Sequence, residues 1–417
     1  MRPLLLLLLL PALLSLAARA ESLLRPDDVL ALCGDSITEQ RLYSAYVEDY
    51  LLMCQPVPGL RVVQLGWNGE TAAGFLARMG TDLLPFQPTV LTLCYGMNDG
   101  GYLPVRRSAA EDYRRSLRGI IDAARLAGVR SVVVGGPGAV DPAAFHRPNV
   151  DAVAYNQTLG ALGEIARNLS QADGLSFADV HTLMLQTMEK AKAAYGANYS
   201  LAGGDGVHPG PEGQLVIAQA FLQALGCDGE IATLTLDCGT QQATASPGHQ
   251  ILSFKDGVLE VESSRYPFLV PPEAAGVLKV LPFTADLNRF VLVVRGLGAP
   301  RARVTWGSQA KDFDAASLGR GINLAQEFPE NPLSAPFRRV DALVRLQQAH
   351  EVFLVKDLLH HYAAYAEGFP GDAAKLEAIR TRALEEDRAL FDAAAAAVQP
   401  VRHLLRIEAA APAVAGN

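Results

Sequence analysis

No CxxC pair and no Cys/His cluster with metal-ligand spacing occurs in the 417 residues, which excludes a structural zinc site as an organising element. Positive charge is in short supply. Lys and Arg total 36 against 44 Asp and Glu, a formal net charge of -8. Non-specific nucleic-acid binding needs a basic field, so this balance argues against it. Lysine itself is scarce, 7 residues against 29 arginines, and alanine is abundant, in keeping with a GC-rich bacterial gene. There is no internal repeat. After the first twenty residues no apolar run is long enough to span a bilayer. Cysteine is limited to five, Cys33, Cys54, Cys94, Cys227 and Cys238, an odd number that leaves at least one thiol over. Cys33 and Cys94 end buried-looking strands and read as small core residues. Cys227 and Cys238 flank a boundary, and their pairing in an oxidising compartment stays open. None lies near the start, which argues against a lipoprotein anchor.

What is present points to an exported, multi-part protein. Half the residues are apolar, enough for sizeable cores, and the length suits two or three domains. Arg2, the leucine run Leu4 to Leu10 and the small-x-small triplet Ala18-Arg19-Ala20 read as a secretory signal peptide over 1–20, with a periplasmic or extracellular destination.

From about Asp27 to Leu225 strands and helices alternate. Val29–Cys33, Val62–Leu65, Val90–Tyr95, Val132–Val134 and Leu175–Val180 are short continuous apolar runs. Helical spacing separates them, with Ser108 and Glu111 as a capping-box pair before the third helix. Continuous apolar strands joined by helices imply a parallel sheet covered on both faces, whose ligands bind at the carboxyl ends of the strands. The expected organisation is a domain over 21–227, a small antiparallel β region over 228–310 and a helical region over 311–417. In the β region, Ile251–Phe254 with Val258–Glu262 reads as a hairpin, and Phe290–Val294 with Ala302–Trp306 as a second pair.

Two short pieces carry the chemistry. Gly34-Asp35-Ser36-Ile37-Thr38 follows the first strand and displays Ser36 where a strand becomes a helix. Asp205-Gly206-Val207-His208-Pro209 sets an acid three residues before a histidine, in a loop fixed by glycines and prolines. A serine hydroxyl needs a base within hydrogen-bond reach, and an acid on the far imidazole nitrogen fixes the tautomer. A tetrahedral oxyanion also needs donors. The Ser36 and Gly69 N–H groups and the Asn98 side-chain amide are candidates, all just beyond strand ends, with Gly66 a competitor for Gly69. Asp35 reads as a loop tie. Trp67, Tyr95 and Tyr102 read as core or rim packing, and His146-Arg147 as a solvated loop. His350, His360 and His361 lack a completing carboxylate or cysteine, so no metal or cofactor is expected.

The ordered set Gly34-Asp35-Ser36, Gly69-Glu70-Thr71, Gly96-Met97-Asn98-Asp99 and Asp205-x-x-His208 resembles the SGNH (GDSL) hydrolase family over about residues 28–225. The resemblance implies a flavodoxin-like three-layer α/β/α fold without a cofactor. It also implies Ser36 as nucleophile, His208 as base, Asp205 as its partner, and Ser36, Gly69 and Asn98 as the oxyanion hole. The second piece departs slightly, with Glu70 where the family often has Asp. The activity expected is hydrolysis of acyl esters, acetyl foremost, on carbohydrates or small molecules. Transfer of the acyl group to a polysaccharide and a non-catalytic binding or scaffold role are the alternatives.

Overall fold

The computed structural model describes residues 22–410, so the leader expected over 1–20 lies outside the described residues. Five parallel strands form the first sheet: β1 (Val29–Gly34), β2 (Arg61–Gly66), β3 (Val90–Cys94), β4 (Ser131–Gly135) and β5 (Ser176–Ala178). Their order is β2-β1-β3-β4-β5. Nearly every residue of β1 to β4 is buried, as strands covered on both faces require. Seven helices belong to this half: α1 (Ser36–Glu39), α2 (Tyr43–Asp49), α3 (Ala72–Arg78), α4 (Arg107–Leu126), α5 (Ala152–Asp173), α6 (Val180–Tyr195) and α7 (Pro211–Ala224). One face packs through Phe75, Tyr113, Leu117 and Ile120 of α3 and α4. The other packs through Tyr46, Val47, Met184 and Phe221 of α2, α6 and α7. This is the flavodoxin-like three-layer architecture, with the strand order reversing between β1 and β3. The capping box expected at Ser108 is absent. Arg106 precedes α4 with no side-chain cap, and Ser108 lies inside the first turn.

The second half holds two further sheets. Its elements are β6 (Glu230–Asp237), β7 (Gln242–Ala245), β8 (His249–Lys255), β9 (Val258–Ser263), α8 (Phe283–Leu287), β10 (Arg289–Arg295), β11 (Arg301–Trp306), β12 (Gln309–Asp314), α9 (Ala315–Arg320), β13 (Ile322–Asn323), α10 (Leu324–Glu327), α11 (Ser334–Phe353), α12 (Tyr362–Gly368), α13 (Ala373–Ala397) and β14 (Val401–Ala410). A π-helical segment, Leu354–Leu359, continues α11. The hairpin of β8 and β9 forms as expected.

Two expectations need correction. The runs Phe290–Val294 and Ala302–Trp306 do not pair. The first belongs to the sheet β13-β10-β6-β7 and the second to β12-β11-β14-β9-β8. Moreover β10 lies parallel to β6, so the region over 228–310 is not purely antiparallel. Gly296 and Gly298 take positive φ, and with Pro300 they carry the chain from one sheet to the other instead of closing a tight hairpin. Likewise 311–417 is not all helix. Pro400 cannot continue a helix. After it Val401, His403, Leu405 and Ile407 face inward on alternate residues, the signature of a strand. That strand, β14, lies between β9 and β11. All five cysteines are free thiols, Cys227 and Cys238 included.

Two polar devices hold this half in place. The first is a one-way hydrogen-bond chain. The Trp306 indole N–H donates to His403 Nδ1 at 3.0 Å, His403 Nε2 donates to Ser263 Oγ at 2.9 Å, and the Ser263 hydroxyl donates to His249 Nδ1 at 2.8 Å. His249 Nε2 then donates to the Ile231 carbonyl at 3.0 Å, joining the two sheets. Burial drives the His403 pKa down to about 3, which keeps the ring neutral as the chain demands. The second device sits on β2, an edge of the parallel sheet, against which α11 packs. Gln347 Nε2 donates to the Val62 carbonyl at 3.0 Å, and the Gln64 N–H donates to Glu351 Oε2 at 2.9 Å. Side chains four residues apart on one helix thus stand in for a neighbouring strand.

Candidate active site

The turn after β1 presents Ser36. Asp35 caps α1 by accepting the Ile37 N–H at 2.9 Å, and burial pushes its carboxyl up to about 7. The Ser36 Oγ lies 2.9 Å from His208 Nε2, although 172 residues separate them in the chain. His208 Nδ1 lies 2.7 Å from Asp205 Oδ2. Asp205 Oδ1 accepts the backbone N–H groups of Val207 and His208, each at 2.9 Å. Burial alone would raise the Asp205 pKa. The bonds from the His208 ring and the two N–H groups outweigh it and hold the carboxyl below its ordinary value. An ionised Asp205 keeps the ring proton on Nδ1, so the lone pair at Nε2 faces the serine hydroxyl. Two glycines allow this loop. Gly203, at φ +81°, would set a Cβ 1.9 Å from the His208 carbonyl oxygen. Gly206, at φ +71°, would set one 2.4 Å from the Phe145 nitrogen.

The other expected residues gather at the same strand ends. Asn98 Nδ2 donates one hydrogen to the Glu70 carbonyl at 2.9 Å, leaving the second N–H of the amide available. Gly69 takes φ +74° in an exposed turn, and its N–H meets no acceptor among the described residues. Gly66 differs. Its N–H donates to Gln64 Oε1 at 2.9 Å, and a Cβ there would lie 2.2 Å from the Glu39 nitrogen. Close packing against α1 accounts for Gly66, and Gly69 is left as the free donor. Glu70 points inward, where both its oxygens take Arg78, at 2.6 and 2.7 Å, and Tyr95 donates at 3.0 Å. Asp99 ties the Asn98 turn to α3 by accepting the Ala72 and Gly96 N–H groups. Burial pushes the Asp99 carboxyl up to about 6.

Several residues at this site escaped the sequence reading. Gln214, buried at the start of α7, shares its two amide hydrogens among Gln40 Oε1 at 2.5 Å, the Ile37 carbonyl at 3.2 Å and the Pro209 carbonyl at 3.4 Å. Those carbonyls directly follow Ser36 and His208. Gln214 Oε1 also accepts the Tyr43 N–H at 3.1 Å. Glu39, at the end of α1, accepts the Asn68 N–H beside Gly69. Lys356, from the segment after α11, donates to Glu39 at 2.5 Å and lies 4.8 Å over the Trp67 ring. His360 packs on Trp67 at 4.7 Å and bonds Asp82 Oδ2 through Nδ1 at 3.0 Å. These links join residues far apart in sequence, and no local motif announces them. Among the described residues, no group of three or more His, Cys, Asp or Glu could hold a metal ion. None of their helices is long and apolar enough to cross a membrane.

A hydroxyl, an imidazole and a carboxylate in this sequence, beside unpaired amide donors, suit acyl transfer. Comparison with known proteins agrees. Residues 32–216 match the GDSL-like lipase/acylhydrolase family. Over these residues, less than half of the chain, it is similar to the GDSL-like acylhydrolases, a likeness that marks an ester-hydrolysing enzyme. An acetylxylan esterase of Geobacillus stearothermophilus is 23% identical over 193 residues, 44% of this chain and 80% of that protein. The crystal structure of Axe2, an acetylxylan esterase from Geobacillus stearothermophilus, is 23% identical and superposes with a TM-score of 0.40, covering 48% of this chain and 95% of the other. A gut microbial diltiazem-metabolizing enzyme, 22% identical, superposes with a TM-score of 0.74 over 94% of this chain and all of that one. The fold outside the matched residues therefore also has a counterpart.

Proposed function

We propose that the protein is an exported serine esterase that removes acyl groups, acetyl foremost, from a carbohydrate or a small ester by way of an acyl-enzyme. Ser36 Oγ attacks the ester carbonyl while His208 Nε2 takes its proton. The Gly69 and Ser36 N–H groups and the Asn98 amide hold the oxyanion. The intermediate collapses, the C–O bond to the alcohol breaks, and His208 returns the proton to the departing alkoxide. Water then attacks the acyl-serine with His208 again as base, giving the acid and free Ser36. Asp205 steadies the imidazolium at each step. The observation that carries this reading is the 2.9 Å Ser36–His208 contact backed by the 2.7 Å His208–Asp205 bond.

Carbohydrate as the alcohol component draws support from the acetylxylan esterase relative. Export draws support from the leader-like residues 1–20. Ser36→Ala is expected to abolish hydrolysis of an aryl acetate and labelling by a fluorophosphonate, with the melting temperature unchanged. Mass spectrometry of the labelled wild-type chain should place the adduct on Ser36. Retained turnover in the folded variant sinks the assignment.

A further inference from the structure

The turn that carries Gly69 has a second wall, from outside the residues that match the acylhydrolase family. A groove of about 440 Å³ is lined by the Trp67–Thr71 turn, Thr81 and His360. The His360 ring is fixed from two sides. It packs on Trp67 at 4.7 Å, and its Nδ1 bonds the fully buried carboxylate of Asp82 at 3.0 Å. That bond leaves Nε2 as the hydrogen-bonding atom of the ring with no partner among the described residues. The order carboxylate, imidazole, free nitrogen repeats that of Asp205 and His208, yet here no serine faces the free nitrogen. His360 lines the same groove as Gly69.

The lining decides what such a space would take. Asn68, Thr71, Thr81 and His360 are polar, the paired Glu70 and Arg78 are charged, Trp67 is the one large apolar side chain, and Gly69 offers backbone. A long acyl chain needs a continuous apolar wall, which this groove lacks. A molecule dense in hydroxyl groups finds acceptors and donors here. We propose that this groove is a subsite for the carbohydrate part of the ester, and that His360 Nε2 accepts a hydrogen bond from a sugar hydroxyl. His360 is then a specificity-determining residue supplied by the C-terminal half. The inference rests on the esterase reading and adds the element that recognises the alcohol component.

The test has two arms, so that its failure is distinct from failure of the esterase reading. In the kinetic arm, His360→Ala and His360→Gln are compared with the full-length wild type on acetylated xylo-oligosaccharides and on an aryl acetate, with melting temperatures as a check on folding. His360→Ala is expected to raise KM for the acetylated sugars about tenfold, the loss of about one hydrogen bond. kcat, and both constants for the aryl acetate, should stay within about twofold. His360→Gln, which keeps an acceptor, is expected to recover part of the loss. Equal changes on sugar and aryl esters overturn the proposal.

The second arm needs no turnover. Binding of unacetylated xylo-, manno- and cello-oligosaccharides is measured by calorimetry on the Ser36→Ala chain, with and without His360→Ala. Binding that weakens about tenfold with His360→Ala supports the subsite. Binding by neither chain, or equal binding by both, overturns it, whatever Ser36 does to esters.

Discussion

The alignment of Ser36 with His208 depends on one buried amide. Gln214 donates to Gln40 just after α1 and lies within hydrogen-bond reach of the carbonyls that follow each of those residues, so it links two loops on different elements. Gln214→Leu keeps the volume and removes the bonds. It is expected to lower kcat for an aryl acetate by about tenfold to a hundredfold, as small misplacements of reacting groups do. KM should hardly move, and a fluorophosphonate should still label Ser36, more slowly. An unchanged kcat would mean that the two loops keep their register without it. Residues of this kind show the limit of reading a sequence. Ser36, Gly69, Asn98, Asp205 and His208 each sit in a short motif beside a strand end or a glycine-rich loop, and so can be found one at a time. Gln214 and Glu39 act on partners brought near only by the fold, and nothing beside them in the chain marks them.

At the level of elements, the contact of α11 with α2 is polar and buried. Ser44 Oγ donates to Gln348 Oε1 at 2.7 Å, and Gln348 Nε2 donates to Glu48 Oε2 at 2.7 Å. Among the described residues Glu48 Oε1 has no hydrogen-bond partner, nor has either carboxylate oxygen of Asp387 on α13, which makes only a 3.8 Å ion pair with Arg61. Burial pushes the Glu48 carboxyl up to about 8, and that of Glu351 upward as well. A carboxyl with a raised folded pKa binds its proton more tightly in the native state. Its contribution to stability is full below the unfolded value near 4.3 and is lost as pH rises through about 8. The melting temperature should therefore fall between about pH 5 and pH 8. In Glu48→Gln, which keeps an acceptor for Gln348, the fall should be shallower. Melting curves across that range decide it, and parallel slopes in the two proteins would remove Glu48 as a cause. The strand–helix alternation of the parallel sheet was legible because its apolar runs are continuous. The pairing of β10 and β11 was not, since a half-buried alternating strand suits any neighbour that buries the same face.

Taken as a whole molecule, the two halves share one core and one edge. Leu30 and Phe221 of the first half and Phe290 and Trp306 of the second belong to a single cluster of buried side chains. The edge of β2 is satisfied by α11, and the turn beside Gly69 is braced through Glu39 by Lys356. A boundary near residue 227 marks a change of texture in the sequence more than a line of separation. Calorimetry of the full chain should give one unfolding transition, and a fragment of residues 22–227 should be insoluble or inactive on aryl acetates. Two resolved transitions, or a soluble active fragment, would show that the halves fold apart. The family match ends at residue 216, yet the resemblance to the diltiazem-metabolizing enzyme spans 94% of the chain. The architecture is thus shared well past the part whose motifs can be read.

The position of β14 bears on how the protein is made. It pairs with β9 through residues about 140 apart in the chain, and with β11 on its other side. On the ribosome both of those strands emerge long before the one that must fill the space between them. Until it arrives, each offers an open row of amides and carbonyls to any passing extended polypeptide. The slowest step in maturation should therefore be the closing of this gap, and the growing chain will need shelter for as long as translation keeps it waiting.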